Sequence, residues 1–201
     1  MRLQTLAIAL AASFLCFAPA RAHDHAHMMQ MEAAQPLSGA SLYNLASHWT
    51  DQDGKAIDLK SLRGRPVVVA MAYTSCKGIC PLIVANMVAV ENAAKAKNLN
   101  DVRFAFFSLD SKVDTPAKLK AYATERGLDP AQWSLYHGDE KAVRDLAAAL
   151  GVRYRPDGQG GFDHSAAISL LNAQGEIVFQ KLDAKLDTDE FVGKIESLAK
   201  K

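Results

Sequence analysis

Basic blocks, internal repeats and long apolar runs are all missing from this chain. Positive and negative side chains nearly cancel, leaving a net charge of +1, so there is no electrostatic footprint for nucleic acid. No segment recurs at a solenoid period, which excludes array architectures. The apolar stretch from Leu6 to Phe17 is shorter than the roughly 20 residues of a membrane span, and no second stretch competes with it. Cysteine is scarce as well, at three in 201 residues, so a disulfide framework is excluded. What remains is ordinary: 49% hydrophobic and 22% charged residues, enough apolar surface for one globular domain with a full core.

The first residues have the layout of a secretory signal peptide. Arg2 precedes the apolar stretch, Pro19 breaks it, and Ala20-Arg21-Ala22 supplies an A-x-A cleavage site. Residues 1–22 are therefore expected to be removed after Ala22, giving a periplasmic protein without a firm membrane anchor; the alternative is an uncleaved N-terminal anchor. Removal takes Cys16 away and leaves Cys76 and Cys80 in an oxidising compartment. Residues 23–38, rich in His and Met and without a steady period, are expected to be a flexible tail. The domain proper spans 39–201.

Within the domain, SLYNLASHW and KAIDL flank a turn cluster ending in Asp53-Gly54, the pattern of a β-hairpin. RPVVVAMAY is a continuous β-branched run, as in a central strand covered on both faces. Pro81 marks the first turn of a helix predicted to reach about Asn98, with Leu82, Ile83, Val84, Val88 and Val90 making it apolar nearly all round. RFAFFSL reads as the next strand. Asp114-Thr115-Pro116 opens a helix that Gly127 ends, and Asp139 caps another that stops at Gly151. HSAAISLL and EIVFQKL pair as a second hairpin, and Asp187 with Glu190 opens a last helix. A βαβ unit followed by a ββα unit predicts an α/β, thioredoxin-like fold: a mixed central sheet flanked by helices, extended by an N-terminal hairpin.

Cys76 and Cys80 fall between the first central strand and its helix. A disulfide between residues so close constrains the unfolded chain little, so the pair makes a poor staple and its reason is chemical. Free N–H groups and the positive end of the helix dipole favour a thiolate there. Side chains four apart on a helix have Cβ atoms about 5–6 Å apart, more than the roughly 3.5–4.5 Å of a disulfide. Two sulfurs on one ion can stay about 4 Å apart, so the spacing spans a metal more easily than it oxidises, although Gly78 lets the first turn deform. A third ligand would come from His48, His137 or His164. His48 lies in the first hairpin and His137 precedes Gly138-Asp139 like a turn residue. His164 follows a glycine-rich loop, begins a core strand, and in a thioredoxin-like fold approaches the cysteines; Asp163 could orient its ring. Two thiolates with an imidazole suit copper in either common oxidation state.

With Tyr73-Thr74-Ser75-Cys76-x-x-x-Cys80-Pro81, FSLDSKVDTPAKLKAY and Asp163-His164-Ser165 in place, the chain from about Leu42 to Lys200 resembles the Sco/SenC family of copper-binding, thioredoxin-like proteins. The resemblance implies copper ligation by Cys76, Cys80 and His164. It also implies a copper-receiving partner: a cytochrome c oxidase subunit, whose copper centre would be metallated or kept reduced, or another periplasmic copper protein. Two positions depart from the family pattern, Lys77 where proline usually follows the first cysteine and Ser111 where an Asp-Pro pair is usual. Neither removes a ligand, and Lys77 could lower a thiol pKa by its charge.

The tail offers a second set of copper donors in His23, His25, His27, Met28, Met29 and Met31. Cleavage after Ala22 would place a free amine, two backbone nitrogens and His25 where a square-planar Cu(II) site forms. The function expected is that of a copper chaperone. The alternative is a thiol–disulfide oxidoreductase in which Cys76 and Cys80 reduce the cysteines of a periplasmic partner. A peroxidase-type thiol enzyme fits less well, because Cys76 lacks the arginine and threonine pattern of peroxide activation, Thr74 aside.

Overall fold

The computed structural model describes residues 36–183 and 185–200. The expected signal peptide and the proposed ligands of the tail lie outside them. The body begins at Pro36, where Leu37 packs against the core and Ser38 bonds to Glu176.

The predicted first hairpin is β1 (His48–Asp51) and β2 (Ala56–Asp58), antiparallel around Gly54 at φ +83°. Next comes β3 (Val67–Ala72), with every residue buried, as a strand covered on both faces must be. Helix α1 (Cys80–Ala96), strand β4 (Arg103–Ser108), helix α2 (Pro116–Glu125), strand β5 (Trp133–Gly138) and helix α3 (Glu140–Ala149) follow. A short hairpin, β6 (Tyr154–Pro156) and β7 (Phe162–His164), precedes β8 (Ile168–Leu171), β9 (Ile177–Lys181) and helix α4 (Thr188–Ala199). The main sheet runs β2-β1-β5-β4-β3-β8-β9, with β3, β4 and β5 parallel and the other pairs antiparallel. This is the thioredoxin-like arrangement, with the hairpin β1–β2 added beyond β5. Among the described residues no helix is long and apolar enough to cross a membrane.

Helix α1 packs on α4, while Leu146 of α3 lines a small apolar void in the core together with Val69, Phe107, Leu171, Leu59 and Leu62. The helix starts follow the sequence signals: Thr115 accepts from Lys118 N–H, Asp139 from Ala142 N–H and Asp187 from Glu190 N–H.

Four expectations are corrected. Strand β5 was not foreseen, and it places His137 inside a strand, where Nδ1 meets the Asp114 carbonyl at 2.9 Å. The hairpin β6–β7 was also missed: His164 ends β7 rather than beginning a core strand, which starts at Ile168. Helix α1 is buried on one face instead of all round, with Ile83, Val84, Met87 and Val90 inside and Leu82 45% exposed. Finally, α1 begins at Cys80, so Cys76 lies in the preceding loop and the two cysteines do not share a helical face.

Candidate metal centre

Strand β3 delivers the chain to the site through Ala72, whose carbonyl accepts from Leu109 N–H at 2.9 Å. The next residues leave the sheet, and the buried carboxylate of Asp114 captures them. It accepts from Thr74 N–H at 2.9 Å, from the Thr74 hydroxyl, and from Ser108 Oγ at 2.7 Å. The loop then carries Cys76 past Gly78 to the helix start at Cys80. No side chain caps α1; the nearby backbone N–H groups of Gly78 and Cys80 favour the ionised form of Cys76.

The third residue arrives from the far side of the fold. His164 is held at the end of β7, with Nδ1 3.1 Å from the Ser165 carbonyl. Nδ1–H must donate there, so the lone pair of the neutral ring lies on Nε2. Nε2 is 3.0 Å from Cys80 Sγ, and one donor atom from each of Cys76, Cys80 and His164 lies within 4.8 Å of the others. The three predicted residues therefore converge. His48 and His137 stand elsewhere, His48 exposed on β1 and His137 on β5. Asp163 does not orient the His164 ring; it is exposed and pairs with Arg155 at 3.1 Å.

The two thiols are unlike. Cys80 is buried, and burial pushes its thiol well up, with the neighbouring Cys76 adding to the effect. Cys76 is half-buried; burial works against its ionisation too. Polar neighbours, above all the Cys80 thiol and the backbone N–H groups of Cys80 and Gly78, outweigh burial and hold it below the usual thiol range. Lys77 is exposed, and the groups acting most on the sulfur are these donors. Burial also lowers the His164 pKa, against the Ser165 carbonyl, and favours the neutral imidazole that a metal needs. A cleft of about 670 Å³ opens over Cys76, between residues 75–79 and the 157–164 hairpin.

Sequence reasoning missed two residues that shape the centre. Asp114 was read as part of a helix start, yet Thr115 is the cap and Asp114 turns inward. Tyr73 carries no signal in the sequence beyond its place in the cysteine motif.

A model of the SCO1/SenC family matches residues 38–200. The chain belongs to the SCO1/SenC family. It is 30% identical over 134 residues to the SCO1 protein homolog of Bacillus subtilis, covering 64% of this chain and 67% of that relative. To an SCO2-like protein of Rickettsia typhi it is 27% identical over 134 residues, covering 64% of each. The match thus spans about two thirds of these curated relatives. Among solved structures, Bradyrhizobium japonicum ScoI with copper bound is 29% identical with a TM-score of 0.64, over 76% of this chain and 96% of that one. The centre thus lies inside the SCO1/SenC domain, on its β3–α1 loop and the hairpin before β8.

Proposed function

We propose that this protein is a copper chaperone that binds one copper ion between Cys76 Sγ, Cys80 Sγ and His164 Nε2. On this reading it acts in the periplasm after loss of residues 1–22 and hands the ion to a copper-receiving protein such as a cytochrome c oxidase subunit. One observation carries the reading: sulfurs from positions 76 and 80 and an imidazole from position 164 meet within 4.8 Å. Two thiolates and a neutral imidazole form a soft, three-donor set suited to copper. The copper-bound relative from Bradyrhizobium japonicum supports the choice of metal.

The roles divide by burial. The buried Cys80 gives up its proton when a cation arrives, because the ion's charge offsets the cost of burying a thiolate. Cys76, half-buried beneath the cleft, is the ligand an incoming donor would displace first, so copper would leave from its side. Copper titration tests the reading. One equivalent should bind tightly, and Cys76→Ser, Cys80→Ser and His164→Ala should each weaken binding. Unchanged affinity in His164→Ala would remove it. The tail donors His23, His25, His27, Met28, Met29 and Met31 add a second site on the same proposal. Equal copper stoichiometry with and without residues 23–31 would eliminate that site.

The unequal thiols favour a second reading as well. A half-buried thiol with a depressed pKa beside a buried one with a raised pKa is the division of labour of an attacking and a resolving cysteine. A thiol–disulfide oxidoreductase would then reduce a partner's disulfide through Cys76.

A further inference from the structure

The donors of the metal centre lie on two pieces of chain that share no sheet. Cys76 and Cys80 follow β3 of the main sheet. His164 ends a two-stranded hairpin that forms a separate sheet. Pairing of β8 with β3 brings the hairpin near the cysteine loop, but no strand pairing joins the two directly, so side-chain contacts set their final distance.

We propose that Tyr73 is the positioning residue that clasps this hairpin and sets His164 against the two sulfurs; the inference rests on the reading of His164 as a ligand. Tyr73 directly follows β3 and is buried. Its hydroxyl donates to the Phe162 carbonyl at 3.1 Å and accepts from Phe162 N–H at 3.1 Å. One oxygen thereby reads both polar groups of one hairpin residue, as a neighbouring strand would. Phe162 and His164 are two apart on β7, so their side chains share a face, and Tyr73 meets both rings edge-on, at 5.6 and 5.8 Å between centroids. Tyr73 and Cys76 both line the cleft over the centre, together with Phe162 and His164. One side chain thus holds the backbone of the hairpin and meets the ring of a ligand.

Gly161 is a second, independent sign of the clasp. A Cβ there would stand 3.0 Å from the Tyr73 hydroxyl and 2.7 Å from Asp157 Oδ2. A side chain at 161 would crowd both the hydroxyl and the Asp157 carboxylate. Packing alone does not call for the hydroxyl, since phenylalanine would fill the same apolar volume. Its use is to hold a ligand in place before the metal arrives, so that ordering the hairpin is not charged against binding.

Tyr73→Phe tests this, read first in the metal-free protein by amide hydrogen exchange. Peptides covering 157–165 should exchange about tenfold faster, while those from β3 and α1 keep their protection. Loaded with Cu(II), the variant should release the ion to a chelator about tenfold faster than the parent. Its sulfur-to-copper absorption should shift toward that of His164→Ala. A merely structural tyrosine would lower protection everywhere and leave the spectrum in place. Gly161→Ala, which crowds the clasp from the hairpin side, should reproduce the local exchange and the release; it decides the matter should Tyr73→Phe unfold. Unchanged exchange and spectrum in Tyr73→Phe, with His164→Ala altered, would overturn the clasp and leave the ligand assignment standing. An unaltered spectrum in His164→Ala would overturn both.

Discussion

Cys80 Sγ and His164 Nε2 lie 3.0 Å apart, although 84 positions separate them in the chain. Burial favours the neutral form of both groups, so the metal-free pair is a thiol facing an imidazole lone pair. A cation that enters displaces the thiol proton and finds the imidazole already aimed. His164→Ala should therefore lower copper affinity by at least about a hundredfold, since a ligand contributes no less than its supporting residues do. Reduction of a small-molecule disulfide by the dithiol should change less than about twofold, because the ring is not the attacking group. Chelator competition and a thiol-release assay on the same preparation separate the two readings. Intact copper binding with lost reductase activity would favour the oxidoreductase.

The two cysteines should respond oppositely to pH. Cys76 ionises at lower pH folded than unfolded, so its stabilising contribution is present above the ordinary thiol value of about 8.5 and is lost as pH falls through the folded value. For Cys80 the folded pKa is raised. Its contribution is present below about 8.5 and is lost as pH rises, because the unfolded chain ionises where the folded one resists. Pulsed alkylation with mass spectrometry at neutral pH should label Cys76 about ten times faster than Cys80. The Cys76 rate should reach half its maximum below pH ~8.5. In melting curves above that pH, Cys80→Ala should flatten the alkaline loss of Tm.

Asp114 anchors the loop from beneath. Its carboxylate is fully buried and takes hydrogen bonds from Thr74 N–H, the Thr74 hydroxyl and Ser108, with Lys118 Nζ 3.9 Å away. Truncation leaves these donors unpaired inside the protein, so Asp114→Ala should cost about 3 kcal/mol in urea denaturation. Ser108→Ala removes one donor to the carboxylate and the acceptor of Asp110 N–H but leaves both Thr74 bonds, and should cost about 1.5 kcal/mol. A similar small cost for both would mean that the loop stands without the carboxylate.

Much of this was legible in the residues, for reasons that differ by element. Val67–Ala72 is unbroken and apolar, so a doubly covered strand was its natural reading, and Thr115, Asp139 and Asp187 cap their helices as their side chains allow. Strand β5 escaped because Ser134 and His137 interrupt its apolar residues and Gly138 ends it. The glycine is there to admit the Trp49 ring, which a Cβ would meet at 2.6 Å. The hairpin β6–β7 escaped because Tyr154–Pro156 and Phe162–His164 are three residues each and carry Arg155, Pro156 and Asp163, a composition that reads as loop. The convergence of Cys76, Cys80 and His164 was inferred correctly on a local premise that fails: Cys76 precedes the helix. What survived the error was topology, since the loop before β8 comes back to the end of β3 whether or not one helix face carries both sulfurs.

The turn between β8 and β9 makes the sharpest stability prediction. Asn172 Oδ1 accepts from the N–H groups of Gln174 and Glu176, and the chain turns through Gly175 at φ +82°. The Gly175 carbonyl accepts from Leu42 N–H at 2.9 Å, which draws the buried Tyr43 ring over the glycine. A Cβ at 175 would stand 2.5 Å from that ring. Gly175→Ala thus adds a collision in the core to a backbone conformation that L residues resist, and should cost about 3 kcal/mol or more. Gly54 has a similar φ of +83° with open space around it, so Gly54→Ala should show the backbone cost alone, about 1 kcal/mol. Gly39 has neither constraint, and alanine there should be neutral or slightly stabilising because it narrows the unfolded ensemble. Urea midpoints should therefore fall in the order Gly39→Ala, Gly54→Ala, Gly175→Ala. Equal values for the last two would show that the Tyr43 ring gives way, and that the left-handed turn rather than the aromatic contact requires the glycine.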